Sequence, residues 1–289
     1  MDLKERTAPT EAAVDEWGVD ALDLHAYLER VGYAGPLEPS ARTLRALHRA
    51  HMGAVCFENL DIAVGRTVSI DIESIQRKLV HGGRGGYCYE TNLLFAAALE
   101  RLGFGVTRLL ARIREGERVR RRFRSHTVML VEAGGEAWLA DPGYGYAGLI
   151  EPLPFRSGAV GGVDGWTWRL ASDDGHHVLQ GLMGGDWFDL YAFRVEPQYR
   201  VDYEMAHYCS STRPSSPFVG RVIAQRGGSE ARHRLKDRVM VTEYPDGSST
   251  REVLSGPEAV RRLRGTFGTA LTAEDERLLL GHYAALPPE

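Results

Sequence analysis

His81-Gly82-Gly83-Arg84-Gly85-Gly86-Tyr87-Cys88-Tyr89-Glu90 leads, two residues later, into Leu93-Leu94-Phe95-Ala96-Ala97-Ala98-Leu99. The glycines interrupt any regular structure before them. The apolar run after them has no polar face, which predicts a mostly buried helix from Cys88 to about Gly103. Cys88 then sits in the first turn of that helix, where backbone N–H groups lack helical acceptors and the helix dipole favours negative charge. A thiolate is stabilised in such a place, so Cys88 is the candidate nucleophile. Cys56 and Cys209 have no glycine-rich entry to a helix and read as structural thiols. The glycine run lacks both a Lys-Ser/Thr ending and Gly-x-Gly-x-x-Gly spacing, which excludes a phosphate loop and a dinucleotide fingerprint.

On the N-terminal side of this stretch the chain reads as helical. Leu24, Tyr27, Leu28 and Val31 follow helix spacing, with Asp20 as the expected N-cap. Ser40 is placed to cap a second helix carrying Leu44, Leu47 and Val55, and Ile70 to Val80 reads as a third. Residues 1–19 are polar and aperiodic, a loose extension. On the C-terminal side the period changes. Val106 to Ile113, His126 to Glu132 and Glu136 to Asp141 are short β-prone runs, continued by Trp166 to Ala171, His177 to Leu182 and Asp186 to Phe193. Ser172-Asp173-Asp174-Gly175 and Gly184-Gly185 supply hairpin turns, so the middle of the chain is expected to be a meander or barrel. Beyond Tyr199 strands near Arg221 to Gln225 and Val239 to Tyr244 mix with terminal helices. Ser255 with Glu258, and Thr272 with Asp275, have capping-box spacing there.

A nucleophilic thiol needs a base and a group that orients the base. The hairpin around Gly134-Gly135 offers both. A two-residue turn pairs Ala133 with Glu136 and puts Asp141 opposite Val128, two residues from His126. His126 and Asp141 are then diagonal neighbours on one face, with backbones roughly 7–8 Å apart, a gap their side chains can close. A three-residue turn would put them on opposite faces unless a bulge restored the register.

Charge and composition narrow the class. Of 289 residues 43% are hydrophobic, enough for a sizeable core of two or three packed subdomains, and the formal charge of −4 argues against non-specific nucleic-acid binding. The seven-residue apolar run at 93–99 is far short of the roughly 20 residues that span a bilayer, and the N-terminus does not read as a secretory signal. A cytoplasmic protein without a membrane partner is expected. Three widely spaced cysteines argue against a disulfide framework and against Cys-x-x-Cys zinc sites, and no metal is expected. Arg112 to Arg124 holds seven arginines, too short a run for a nucleic-acid partner but placed to attract phosphates near His126.

Arg84-Gly85-Gly86-Tyr87-Cys88-Tyr89-Glu90 followed by Asn92 resembles the Arg-Gly-Gly-x-Cys-x-Glu signature of the arylamine N-acetyltransferases. Phe57-Glu58-Asn59-Leu60-Asp61, Ser125-His126-Thr127, Asp141-x-Gly143-Tyr144-Gly145 and Ser211-Thr212-x-Pro214-x-Ser216 with Phe218 fall in the family's order, from about Leu22 onward. The resemblance implies an α+β fold: a helical bundle with the nucleophile at 20–104, a β-barrel with His and Asp at 105–205 and an α/β lid at 206–289. It also implies a cysteine-protease-like triad of Cys88, His126 and Asp141. Acetyl-CoA would be the co-substrate, and acetyl would pass through Cys88 to an arylamine or arylhydrazine in two half-reactions. Phe57 and Tyr144 match positions lining the acceptor pocket. Ser125, Thr127, Gly143, Gly145 and the Ser215 region match CoA contacts. Pro142 departs from the family, which more often has an aliphatic residue after the Asp. Pro fixes φ and removes an N–H there. Two other outcomes share the triad: an amide synthase that takes a polyketide from an acyl carrier protein and closes a macrolactam through an aryl amine, and a Cys-His-Asp hydrolase or transglutaminase. A binding module with a decayed site would normally have lost one of the three residues.

Overall fold

The computed structural model describes residues 15–115 and 122–287. Its elements in chain order are helices α1 (Leu24–Val31) and α2 (Ala41–Ala54), strand β1 (Phe57–Glu58), and helices α3 (Leu60–Ala63), α4 (Ile72–Gln76) and α5 (Cys88–Arg101). Strands β2 (Gly105–Ile113), β3 (His126–Ala133), β4 (Glu136–Ala140), β5 (Leu153–Pro154), β6 (Val160–Val163), β7 (Trp166–Asp173), β8 (His176–Met183) and β9 (Asp186–Phe193) follow. Helix α6 (Arg200–Thr212), strands β10 (Ile223–Arg226), β11 (Arg232–Lys236), β12 (Val239–Glu243) and β13 (Ser249–Val253), and helices α7 (Gly256–Gly265) and α8 (Ala273–Ala285) complete the chain. Among the described residues no helix is long and apolar enough to cross a membrane.

Helix α5 forms the floor of the molecule's first core. Leu94, Phe95, Ala97 and Leu99 are fully buried, and Tyr27, Leu44, Leu47, Ile75 and Leu79 from the preceding helices join the same cluster. Each fully buried large side chain contributes about 1.5–3 kcal/mol, so a helix apolar on all sides is held by its surroundings rather than by its own caps. It ends where Gly103 adopts φ +84°, a left-handed conformation that suits glycine.

Eight strands form one antiparallel sheet in the order β5-β4-β3-β2-β9-β8-β7-β6. Its two edge strands, Leu153–Pro154 and Val160–Val163, are neighbours in sequence, so the sheet curls into a nearly closed barrel. Strand β3 is buried on both faces because Val128 and Leu130 face the barrel interior while Met129 and Val131 pack with the α5 core. That explains its near-continuous apolar run. A third core, built from Val222, Ala224, Leu235, Met240, Leu263, Phe267 and Leu279, joins α7 and α8 to a five-stranded sheet in the order β1-β10-β11-β12-β13. The outer strand of that sheet, β1, comes from the N-terminal side of the glycine loop.

The expected N-cap of the first helix is corrected. Asp20 lies in a 3-10 turn at Val19–Ala21, and Asp23 caps α1 by accepting the Ala26 N–H at 3.0 Å. The loose extension is corrected for its last residues. Trp17 packs edge-on against Tyr203 at 5.0 Å and lies under the Arg108 guanidinium at 4.4 Å, giving the segment an anchor that its polar neighbours conceal. Residues 1–14 lie outside the described residues, as do Arg118, Arg120 and Arg121 of the arginine run. Helix α6 has no counterpart in the sequence pattern. Val201, Met205 and Tyr208 on it are well exposed, so its apolar positions do not mark a buried stripe. Strand β11 is strongly basic and β13 is exposed at every position, which hides both from an apolar pattern.

Candidate active site

Cys88 is the first residue of α5 and is 2% exposed. The approach to it is fixed by two glycines. A Cβ at Gly85 would stand 2.3 Å from the Cys56 carbonyl oxygen, and one at Gly86 would stand 2.8 Å from the Glu90 Cβ. Main-chain bonds from Gly86 N to Cys56 O and from Glu58 N to Gly86 O, at 3.2 and 3.0 Å, stitch the loop to β1. Glu90 accepts the Tyr87 N–H at 3.1 Å, capping the helix one residue before the thiol.

Below this loop the charged side chains pair repeatedly. Arg84 reaches Glu58 at 2.8 Å and Asp61 at 3.4 Å, while Lys78 reaches Asp61 at 2.7 Å and Glu90 at 2.8 Å. Arg66 links Asp61 to Asp275 on α8. Burial raises the Glu90 carboxyl to about 7 against the pull of Lys78. This cluster ties α3, the π-helical turn Arg77–His81 after α4, α5 and α8 into one support.

The two-residue Gly134-Gly135 turn forms: Ala133 pairs with Glu136 and Met129 with Ala140, so Asp141 follows directly on the paired ladder. The side chains close the diagonal. His126 Nε2–H donates to Asp141 Oδ2 at 2.7 Å, with both residues almost completely buried. That leaves Nδ1 on the side of Cys88, whose thiol donates to the Ser125 carbonyl oxygen at 3.8 Å and lies close enough to the imidazole to help raise its pKa. Burial alone would lower the His126 pKa; the charge and hydrogen bond of Asp141, aided by Cys88, override it and hold the imidazole well above its ordinary value. The imidazolium is therefore the favoured form beside a thiol at a helix start.

Asn92, one helical turn after Cys88, belongs to the sequence motif, and the structure gives it a role. Its Nδ2 donates to Asp141 Oδ1 at 2.9 Å and to the Thr127 carbonyl at 2.6 Å, and its Oδ1 accepts Gly143 N–H at 2.9 Å. The i, i+4 spacing from Cys88 is the signal that puts it on the same helix face. His48 and Tyr191 are further neighbours that the sequence does not reveal. His48 accepts the Asp141 N–H at 3.2 Å. Tyr191 lies with its ring 5.1 Å from His126 at a 48° tilt, and its hydroxyl is buried beside the Asp141 carboxylate without a well-aligned bond. Burial first, then that negative neighbour, pushes the Tyr191 hydroxyl pKa well above its usual range.

The remaining expected residues divide. Tyr144 stands edge-on to His126 at 5.3 Å, and Phe57 lies beside the glycine loop with its ring 6.0 Å from Phe218. Gln225 connects these two sides, pairing with Phe57 across the sheet and accepting the Tyr146 N–H at 3.2 Å. A Cβ on Gly145 (φ +91°) would meet the Gln225 side chain, and one on Gly143 would meet Thr91 and Asn92, so both positions need glycine. Ser125 is partly exposed next to the thiol. Thr127 is fully buried with its hydroxyl donated to the Cys88 carbonyl at 2.9 Å, which places it under the helix end. Ser215 lies exposed in the 213–216 turn after α6.

Comparison with known proteins places the chain in a family. Residues 40–276 match the N-acetyltransferase family model. The chain is 35% identical over 256 residues to the arylamine N-acetyltransferase of Mycolicibacterium smegmatis, covering 87% of this chain and 93% of the relative. It is 34% identical over 229 residues to the arylamine N-acetyltransferase of Escherichia coli, covering 79% and 82%. The solved structure of the arylamine N-acetyltransferase from Mycobacterium abscessus superposes with a TM-score of 0.89 at 32% identity, over 96% of this chain and 100% of that one. That of the Mycobacterium marinum enzyme in complex with CoA gives a TM-score of 0.86 at 32% identity, over 90% and 98%. The chain belongs to the arylamine N-acetyltransferase family and is an acyltransferase.

Proposed function

We propose that this protein moves an acetyl group from acetyl-CoA to the amine of an arylamine or arylhydrazine through an acetyl-Cys88 intermediate. The observation that carries the reading is the His126 to Asp141 bond of 2.7 Å beside a thiol at a helix start. In the first half-reaction the Cys88 thiolate attacks the thioester carbonyl, and the departing CoA sulfur takes the proton held on His126. In the second the amine nitrogen attacks the acetyl-Cys88 carbonyl, His126 accepts the amine proton, and the Cys88 thiolate leaves. Backbone N–H groups around Cys88 are assigned to the oxyanion in both halves. Asp141 orients the imidazole and stabilises its charged form.

Phe57 and Tyr144 are assigned to the acceptor side, where their flat rings suit an aryl group. Ser125, Gly143, Gly145 and Ser215 are assigned to the CoA side. Thr127, whose hydroxyl is committed to Cys88, is assigned to support. The similar M. marinum chain has been solved with CoA, which supports a CoA thioester as the donor. The relatives named above are acetyltransferases, which favours acetyl-CoA over a carrier-bound acyl chain. The protein is assigned to the cytoplasm, where acetyl-CoA is made and used. Initial rates measured while acetyl-CoA and a simple arylamine are varied test the two-step order. Parallel double-reciprocal lines are expected; lines that intersect to the left of the axis would mean direct transfer in a ternary complex.

A further inference from the structure

Asp141 stands just past the last paired residues of its hairpin, Met129 and Ala140, so no neighbouring strand fixes its backbone. Pro142 follows it and has no N–H to offer. The next donor is Gly143 N–H, held by Asn92. Between Ala140 and Gly143 one backbone donor therefore remains to locate the carboxylate that meets His126. That donor, Asp141 N–H, points at His48 Nε2 at 3.2 Å.

His48 suits this task by its own surroundings. Its Nδ1 lies 3.0 Å from the Ile150 carbonyl oxygen, which can only accept, so Nδ1 carries the proton and Nε2 is left as an acceptor. The ring is fully buried and stands edge-on to Phe95 of α5 at 5.5 Å. Burial is the largest influence on its titration and pushes it down to about 4, although Asp141 and Glu151 pull the other way. The neutral tautomer thus persists through the working pH range, and α2, the nucleophile helix and the 150 region meet at one ring.

We infer that His48 is a positioning residue for the transfer reaction: its bare Nε2 fixes the Asp141 main chain so that the carboxylate is aimed at His126. The inference rests on the reading of Cys88, His126 and Asp141 as the reacting groups. Two substitutions separate the two ring nitrogens. In His48→Gln the side-chain oxygen reaches the Nε2 position and can still accept, whereas His48→Asn retains a donor at the Nδ1 position and loses the acceptor. The rate of Cys88 alkylation by iodoacetamide as a function of pH is the readout, with thermal unfolding followed in parallel.

Wild type is expected to alkylate readily at pH 7. Gln should keep the profile. Asn should slow the reaction at pH 7 by about tenfold to a hundredfold, the scale on which a 1 Å misplacement acts. Equal loss of thermal stability in both variants with an unchanged profile would overturn the inference. A wild-type Cys88 that alkylates at pH 7 no faster than free glutathione would instead overturn the reading of Cys88 on which it rests. Should neither variant fold, 15N-histidine spectra of the wild-type protein decide: Nδ1–H with bare Nε2 at His48 is expected, and Nε2–H or an imidazolium at neutral pH would overturn it.

Discussion

The two flanks of Cys88 are built differently. On the glycine-loop side, Glu58, Asp61, Lys78, Arg84, Glu90 and Asp275 form a cluster in which Arg84, Asp61 and Lys78 each pair with more than one partner. On the barrel side, His126 has one carboxylate partner, and that carboxylate is located by single hydrogen bonds from Asn92 and to His48. The first flank is redundant and charged; the second is sparse and directional. A redundant cluster resists the loss of one distance but, being buried, punishes the loss of a charge. A directional chain contributes little to stability and sets the geometry on which proton transfer depends. Damage on the glycine-loop side should therefore appear in unfolding curves and damage on the barrel side in rates.

The largest contrast is expected from Asp141→Asn. Turnover should fall by about 10⁴, the size of the effect when a base loses the partner that fixes its tautomer, with the protein still folded by circular dichroism. A turnover loss below tenfold would place the orienting role elsewhere. Arg84→Leu should do the reverse, lowering the urea unfolding free energy by about 3–5 kcal/mol by leaving the fully buried Glu58 without its ion-pair partner while folded protein keeps its Cys88 alkylation profile. Two glycines sharpen the same line. Gly85→Ala forces a Cβ onto the Cys56 carbonyl and is expected to cost about 1–3 kcal/mol of stability, whereas Gly143→Ala displaces Asn92 and should reduce turnover more than stability.

A pH series adds a smaller effect with a defined sign. The folded-state pKa of His126 is raised above its unfolded value, so its pairing stabilises fully below about pH 6.5 and the contribution is lost as pH rises through the raised folded value. The stability gap between wild type and Asp141→Asn should thus be widest at mildly acid pH and narrow on the alkaline side; a gap that widens with pH would reverse the assignment. The smallest effect belongs to Cys56. Burial pushes its thiol up to about 11, so it should remain unalkylated at neutral pH, and Cys56→Ala should cost about 1 kcal/mol without changing turnover.

Much of this site is legible in the sequence because its signals are local. The glycine run, the apolar helix after Cys88 and the turn that sets the register of β3 and β4 each lie within a dozen or so residues, and those short-range patterns are enough to single out Cys88, His126 and Asp141. Asn92 carries a weaker local signal, one turn along the helix. His48 carries none, since its bonds to Asp141 and Ile150 span 93 and 102 residues and a helix pattern says only that position 48 faces inward. Tyr191 reaches the site from β9, a strand distant in the chain from both His126 and Asp141. Helix α6 is hidden for a different reason: its exposed Val201, Met205 and Tyr208 break the relation between apolar residues and burial on which a sequence pattern depends.

The central claim is that Cys88 carries the acetyl group. Intact-mass spectrometry of the protein mixed with acetyl-CoA in the absence of an acceptor, with Cys88→Ala alongside, tests it directly. The account predicts a gain of one acetyl group that is absent in the variant and discharged when a simple arylamine is added. No adduct on a Cys88 that still alkylates readily would contradict acetyl-CoA as the donor.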